Sequence, residues 1–147
     1  MDKKTVLLIA ESNEGHFRLI QKNLQSWGIK CPIVHFANGK ALLKYLSHFK
    51  TLNSAPETTH ILLLDMDFPG GDSIELLEMT KKDPKLKHIY VVMLAVSYDL
   101  MTIGKCFGLG CSGYLVKPIK QSEFMTVFKR LYVQELSEKN QAVEDLY

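Results

Sequence analysis

Three ionisable residues stand where apolar runs of strand length stop. Glu11 follows Thr5–Ala10, Asp65 follows Ile61–Leu64, and Lys117 follows Gly113–Val116. An unbroken apolar run that ends in a turn signal reads as a strand buried on both faces, as in a parallel sheet. After Asp65, the segment Met66-Asp67-Phe68-Pro69-Gly70-Gly71-Asp72 supplies that signal, and Asp72 is placed to cap a helix. Asp65 therefore falls at the carboxyl lip of the sheet, where open α/β sheets hold their ligands. A single acid there is weak evidence, because a lone carboxylate commonly does no more than end a strand. Two acids and a lysine meeting at one lip are a stronger signal.

The elements that must position them follow from periodicity. Phe17, Ile20, Leu24 and Trp27 recur at helical spacing from Gly15, and Gly28 ends that helix. Cys31–Phe36 reads as a second strand, with Pro32 marking it as an edge. Gly39–Lys50 is helical, and Thr51–Thr59 is a polar loop. Ser73–Lys82 is a third helix, stopped by Asp83-Pro84. Ile89–Val96 is a fourth strand and Asp99–Phe107 a fourth helix, closed by Gly108 and Gly110. Gly113–Val116 is a fifth strand. Ser122 is placed to cap a last helix that turns Phe124, Val127, Phe128 and Leu131 inward. Residues 137–147 read as a polar tail.

Strands alternating with helices over short connections imply a doubly wound parallel sheet. The order that suits a domain of this size is the flavodoxin-like 2-1-3-4-5. That order brings the carboxyl ends of strands one, three, four and five together, and with them Glu11, Asp65, Ala95 and Lys117.

Composition narrows the classes. The chain has 147 residues, 46% of them hydrophobic and 23% charged, which suits a single globular domain. A net charge of +2 gives no bulk electrostatic argument for nucleic acid. Cys31, Cys106 and Cys111 form neither a disulfide framework nor a zinc pattern, and a reducing cytoplasm is the expected location. Cys106 and Cys111 flank a glycine turn and read as small core residues. The stretch Val6–Ala10 is too short for a signal-peptide core or a membrane span.

Taken jointly, three motifs resemble the receiver domain of two-component response regulators: Glu11-Ser12-Asn13, Leu64-Asp65-Met66-Asp67-Phe68-Pro69-Gly70, and Gly113-Tyr114-Leu115-Val116-Lys117-Pro118. The likeness covers about Thr5 to Leu136 within one domain spanning 1–147 and is similar to the single-domain receivers paired with bacterial phytochromes. It implies a phosphoacceptor rather than an enzyme, with at most self-phosphorylation and self-dephosphorylation chemistry. Asp65 would accept a phosphoryl group from a sensor histidine kinase or phosphotransfer protein. Glu11, Asp65 and the backbone carbonyl of Asp67 would hold Mg²⁺, and Lys117 would pair with a phosphoryl oxygen. Output would pass to a partner or a second copy through the face of the fourth helix, fifth strand and fifth helix. Neither nucleic acid nor membrane is an expected partner.

Two positions depart from the family pattern. Ser12 stands where a second acid is usual, so Mg²⁺ binding is expected to be weak. Ala95 stands where a Ser or Thr hydroxyl usually links the phosphoryl group to the switch aromatic, here Tyr114. These departures leave open a degenerate receiver that binds partners without phosphorylation. Asp65-Met66-Asp67 also resembles the nucleophile motif of haloacid-dehalogenase-type phosphatases. That motif tends to follow the first strand and needs a later acidic pair, which the chain does not offer after a strand.

Overall fold

A computed structural model describes residues 5–51, 58–70 and 72–131. Strands β1 (Thr5–Ala10), β2 (Ile33–Phe36), β3 (Thr59–Asp65), β4 (Tyr90–Ala95) and β5 (Gly113–Val116) form one parallel sheet in the order β2-β1-β3-β4-β5. Helices α1 (Glu14–Ser26), α2 (Gly39–Thr51), α3 (Ser73–Lys82) and α4 (Leu100–Gly108) connect them, and α5 runs over residues 121–131. This is the flavodoxin-like arrangement read from the sequence.

The central strands carry no polar alternation because both faces are covered. Leu62 and Leu64 face Leu42, Leu46 and Phe49 of α2 and Leu76 and Leu77 of α3. Ile61 and Leu63 face Ile20 and Leu24 of α1 and Phe124 and Leu131 of α5. Each such leucine, lifted wholly out of water, contributes about 1.5–3 kcal/mol before conformational entropy is subtracted. β2 lies at the sheet edge, and the Pro32 carbonyl still accepts from Leu7 N–H at 2.9 Å.

The helix ends are fixed by side-chain caps. Asn13 accepts from His16 N–H at 2.9 Å, Asp72 from Ile74 N–H at 2.8 Å and Asp99 from Met101 N–H at 3.3 Å. The expected cap at Ser122 is corrected: α5 starts at residue 121, two residues earlier than such a cap implies, and Phe124 N–H donates to the Lys120 carbonyl at 3.0 Å. Ser122 lies inside the helix, where its carbonyl accepts from the Thr126 hydroxyl at 2.8 Å. Thr51 belongs to α2 and Thr59 to β3, so the polar loop is shorter at both ends than its composition suggests. The tail expected at 137–147 lies outside the described residues. Among the described residues no helix is long and apolar enough to cross a membrane.

Candidate functional site

The register of the sheet assembles the site. Ala10 pairs with Leu64, so Glu11 and Asp65 are neighbours across β1 and β3. Asp65 pairs with Leu94, Leu94 pairs with Leu115, and Lys117 lies two residues beyond Leu115 on the same face of the sheet. Lys117 N–H donates to the Ala95 carbonyl at 2.8 Å, which ties the end of β5 to the end of β4. The Lys117–Pro118 peptide that follows is cis.

Three side chains predicted from sequence therefore meet. The Lys117 ammonium donates to both Glu11 Oε1 and Asp65 Oδ2. Both carboxylates are buried, Glu11 with its side chain only 1% exposed. Burial alone would push the Asp65 carboxyl up. The Lys117 ammonium and the Asp67 N–H, which donates to Oδ1 at 2.9 Å, together outweigh it and hold the group below the usual carboxylate range. Burial pulls the Lys117 ammonium down, and the Asp65 and Glu11 carboxylates more than reverse that. At neutral pH the Asp65 carboxylate and the Lys117 ammonium are thus both charged, and the ammonium bridges Asp65 to Glu11.

The other predicted residues sit around this centre. Asp67 is exposed and reaches Asp65 through its backbone N–H. Ser12 is exposed beside Glu11. Ala95 is 4% exposed, and its methyl group offers no donor to the site. Tyr114 packs against the α2/α3 side of the core, and its hydroxyl donates to the Ser97 carbonyl at 3.3 Å. Cys106 and Cys111 are buried thiols, and burial, with the neighbouring Cys106, pushes Cys111 up to about 11.

Sequence reasoning did not single out three residues that hold the site. The Ser73 hydroxyl donates to the Asp65 carbonyl at 2.6 Å, fixing the strand end. His16 Nδ1 lies 3.7 Å from Glu11 Oε1. His35 Nε2 lies 2.8 Å from the Glu11 carbonyl. None belongs to a local motif; only Ser73, directly after the cap residue Asp72, carried a positional hint.

The donor set suits a hard cation in type but is thin in number. Glu11 and Asp65 supply carboxylate oxygens, and Asp67 has a backbone carbonyl nearby in sequence. Among the described residues no three His, Cys, Asp or Glu side chains gather closely enough to hold a metal. The residues present therefore fit Mg²⁺ as a partly hydrated ion rather than one caged by protein.

The response regulator receiver domain pattern matches residues 7–129, and the chain belongs to that family. Response regulator Rcp1 of Synechocystis is 29% identical over 112 residues, covering 76% of each chain. The two-component response regulator-like protein PRR1 of Oryza sativa is 30% identical over 93 residues, and the match spans 18% of its length. The receiver domain from Rhodospirillum rubrum has a TM-score of 0.70 at 30% identity, covering 86% of this chain and 89% of that one. The phosphorylated cyanobacterial phytochrome response regulator RcpA gives 0.66 at 30%, covering 85% and 89%. The Mn²⁺-bound form of Rcp1 gives 0.65 at 26%, covering 83% and 88%. The chain is thus a response regulator receiver domain of two-component signalling, a class of signalling modules that generally binds Mg²⁺ and works with kinases or phosphotransfer proteins. Membership also sets aside the phosphatase-like reading of Asp65-Met66-Asp67.

Proposed function

We propose that Asp65 is the phosphoacceptor of this receiver. The observation that carries the reading is the Glu11–Lys117–Asp65 cluster at the carboxyl lip of the sheet. The Asp65 carboxylate oxygen attacks the phosphorus of a phosphohistidine on a sensor kinase or phosphotransfer protein. An O–P bond forms and the N–P bond breaks; the imidazole takes the bonding pair and, protonated on its other ring nitrogen, leaves neutral. Asp65 is ionised at neutral pH, so no base is required. Lys117 is placed to leave its two carboxylates and pair with a phosphoryl oxygen. Glu11, Asp65 and the Asp67 carbonyl would hold Mg²⁺, which neutralises charge between nucleophile and phosphoryl group. The chain is not an enzyme in this reading, beyond transfer to and hydrolysis from its own aspartate.

The receiver unit would run over about 5–136 and work in the cytoplasm. Output would use the α4–β5–α5 face. Its support is the apolar surface along α4, where Leu100 is 73% and Met101 85% exposed at the start, with exposed Tyr98 just before the helix and exposed Phe107 near its end.

The test is incubation with acetyl phosphate and Mg²⁺, followed by intact-mass measurement. Wild type should gain one phosphoryl group and Asp65→Asn none. An unchanged wild-type mass, or equal gain in both, overturns the assignment. A second reading has its own support in Ser12 and Ala95: a receiver that keeps Asp65 but binds its partner regardless of phosphorylation. Equal partner affinity before and after labelling would favour it.

A further inference from the structure

We propose that His35 is a positioning residue for Glu11, and so for the charge cluster that surrounds Asp65. The inference rests on the functional reading above for its consequence, but not for its geometry.

Glu11 is the first residue beyond β1, where the strand ladder stops supplying partners. Its N–H still finds the Phe36 carbonyl at 3.1 Å. Its own carbonyl is taken by a side chain, with His35 Nε2 at 2.8 Å. A carbonyl can only accept, so Nε2 carries the hydrogen. Both backbone groups of residue 11 are thereby clamped to the end of β2.

The imidazole is itself held. Its ring lies flat on Phe17, with centroids 3.7 Å apart and planes 2° from parallel. Phe17 belongs to the first turn of α1, whose Asn13 cap directly follows the acidic segment. One exposed histidine thus joins the edge strand, the end of β1 and the start of α1. Core packing does not demand a histidine there, because His35 points out of an edge strand.

The clamp has a specific beneficiary. Glu11 accepts Lys117 on Oε1 and Asn13 N–H, at 3.1 Å, on Oε2. Rotation of residue 11 would break both contacts together. Because Ser12 is neutral, no second acid at the end of β1 compensates for a displaced Glu11. A side chain that orients a ligand-bearing residue in this way commonly changes metal affinity by 10–100-fold when removed.

Two variants separate the hydrogen bond from the ring. His35→Phe keeps a ring for Phe17 and removes the donor; His35→Gln keeps a donor and removes the ring. The first measurement is metal-free NMR of the Asn13 amide and Glu11 side-chain carboxyl. His35→Phe should move both signals and His35→Gln should leave them nearer wild type. Changes confined to residue 35 and Phe17 overturn the proposal. The second measurement is Mn²⁺ alone, followed by water-proton relaxation, with the melting midpoint taken in parallel. His35→Phe should bind about tenfold more weakly at an unchanged midpoint. Equal affinity in wild type and His35→Phe overturns the proposed effect on the cluster. If wild type binds no Mn²⁺, the metal part of the functional reading fails, and the NMR result still decides the role of His35.

Discussion

The Tyr114 hydroxyl donates to the carbonyl oxygen of Ser97 at 3.3 Å. This contact ties the β5 aromatic to the backbone of the β4–α4 loop without involving the Glu11–Lys117–Asp65 cluster. Ala95 ends β4 two residues before Ser97, and its side chain has no hydrogen-bond donor. A hydrogen bond to a charged group is worth about 1.5–3 kcal/mol, comparable to the gap between two states of a switch. With that donor missing, occupancy of Asp65 in the proposed function would have little leverage on Tyr114.

The first prediction follows. Beryllofluoride, an aspartyl-phosphate mimic, should shift the NMR signals of residues 95–120 only slightly in wild type. Ala95→Thr should enlarge those shifts by adding coupling of about 1–3 kcal/mol. A strand end accommodates Thr readily, so stability should change little. Wild-type shifts as large as those of Ala95→Thr would identify another donor and an ordinary switch.

The second prediction concerns Lys117. Lys117→Met leaves two buried carboxylates side by side without their counterion, which should cost about 3–5 kcal/mol at pH 7.5. The pH dependence has a defined sign. In wild type the lowered Asp65 pKa adds stability above the ordinary carboxylate pKa of about 3.9, and that stability is lost as pH falls below it. Without Lys117, burial, the largest influence on Asp65, would instead raise its pKa, so acidification relieves the variant. Urea midpoints at pH 7.5 and pH 5 should therefore converge between the two proteins. A constant difference would place the Lys117 contribution in packing rather than charge.

The lip-forming residues were legible because each ends an apolar run, and Glu11, Asp65 and Lys117 do meet. The supports of the site were not, since they depend on register and on close approach between distant segments. His35 reaches the Glu11 carbonyl only because β2 lies beside β1 in one particular alignment. Gly39 reads from sequence as a helix start. In the fold its N–H donates to the Pro69 carbonyl at 2.7 Å, and an added Cβ would lie 2.7 Å from the Gly70 carbonyl oxygen. That glycine lets the start of α2 touch the loop that follows Asp67, a requirement no local pattern states. Ser122 misled for the opposite reason. A good capping residue was present, but Phe124 N–H was satisfied by the Lys120 carbonyl one residue before the helix, with no side chain needed.

The third prediction concerns the metal. Two carboxylates bridged by an ammonium leave little net negative charge for a hard cation. Ser12→Asp adds one charge next to Glu11 and should tighten Mg²⁺ about tenfold, because ligand charge sets affinity at such sites. Calorimetric titration of both proteins is the check. Equal affinities would show that position 12 faces away from the ion.

The last prediction lies at the opposite end of the sheet. His60, on β3, is 8% exposed, sits edge-on to Phe49 at 4.7 Å, and shares that ring with His88, stacked at 5.5 Å. Among the described residues His60 Nδ1 has no hydrogen-bond partner. Burial lowers the His60 pKa, the nearby His88 lowers it further, and a hydrogen bond at Thr58 opposes both. Burial lowers His88 too, with Lys81 adding to it. For a base the folded state then binds fewer protons than the unfolded chain between the depressed pKa and the ordinary value of about 6.5. Stability should therefore rise with pH across that window and fall on acidification below about pH 6.5. Each unit of depression removes about 1.4 kcal/mol once the pH lies below both values. His60→Phe keeps an aromatic against Phe49 and removes the proton site, so its urea midpoint should change less between pH 7.5 and pH 5 than that of wild type. The same slope in both proteins would assign the acid sensitivity to other groups, and His88, whose pKa burial also lowers, would be the first to examine.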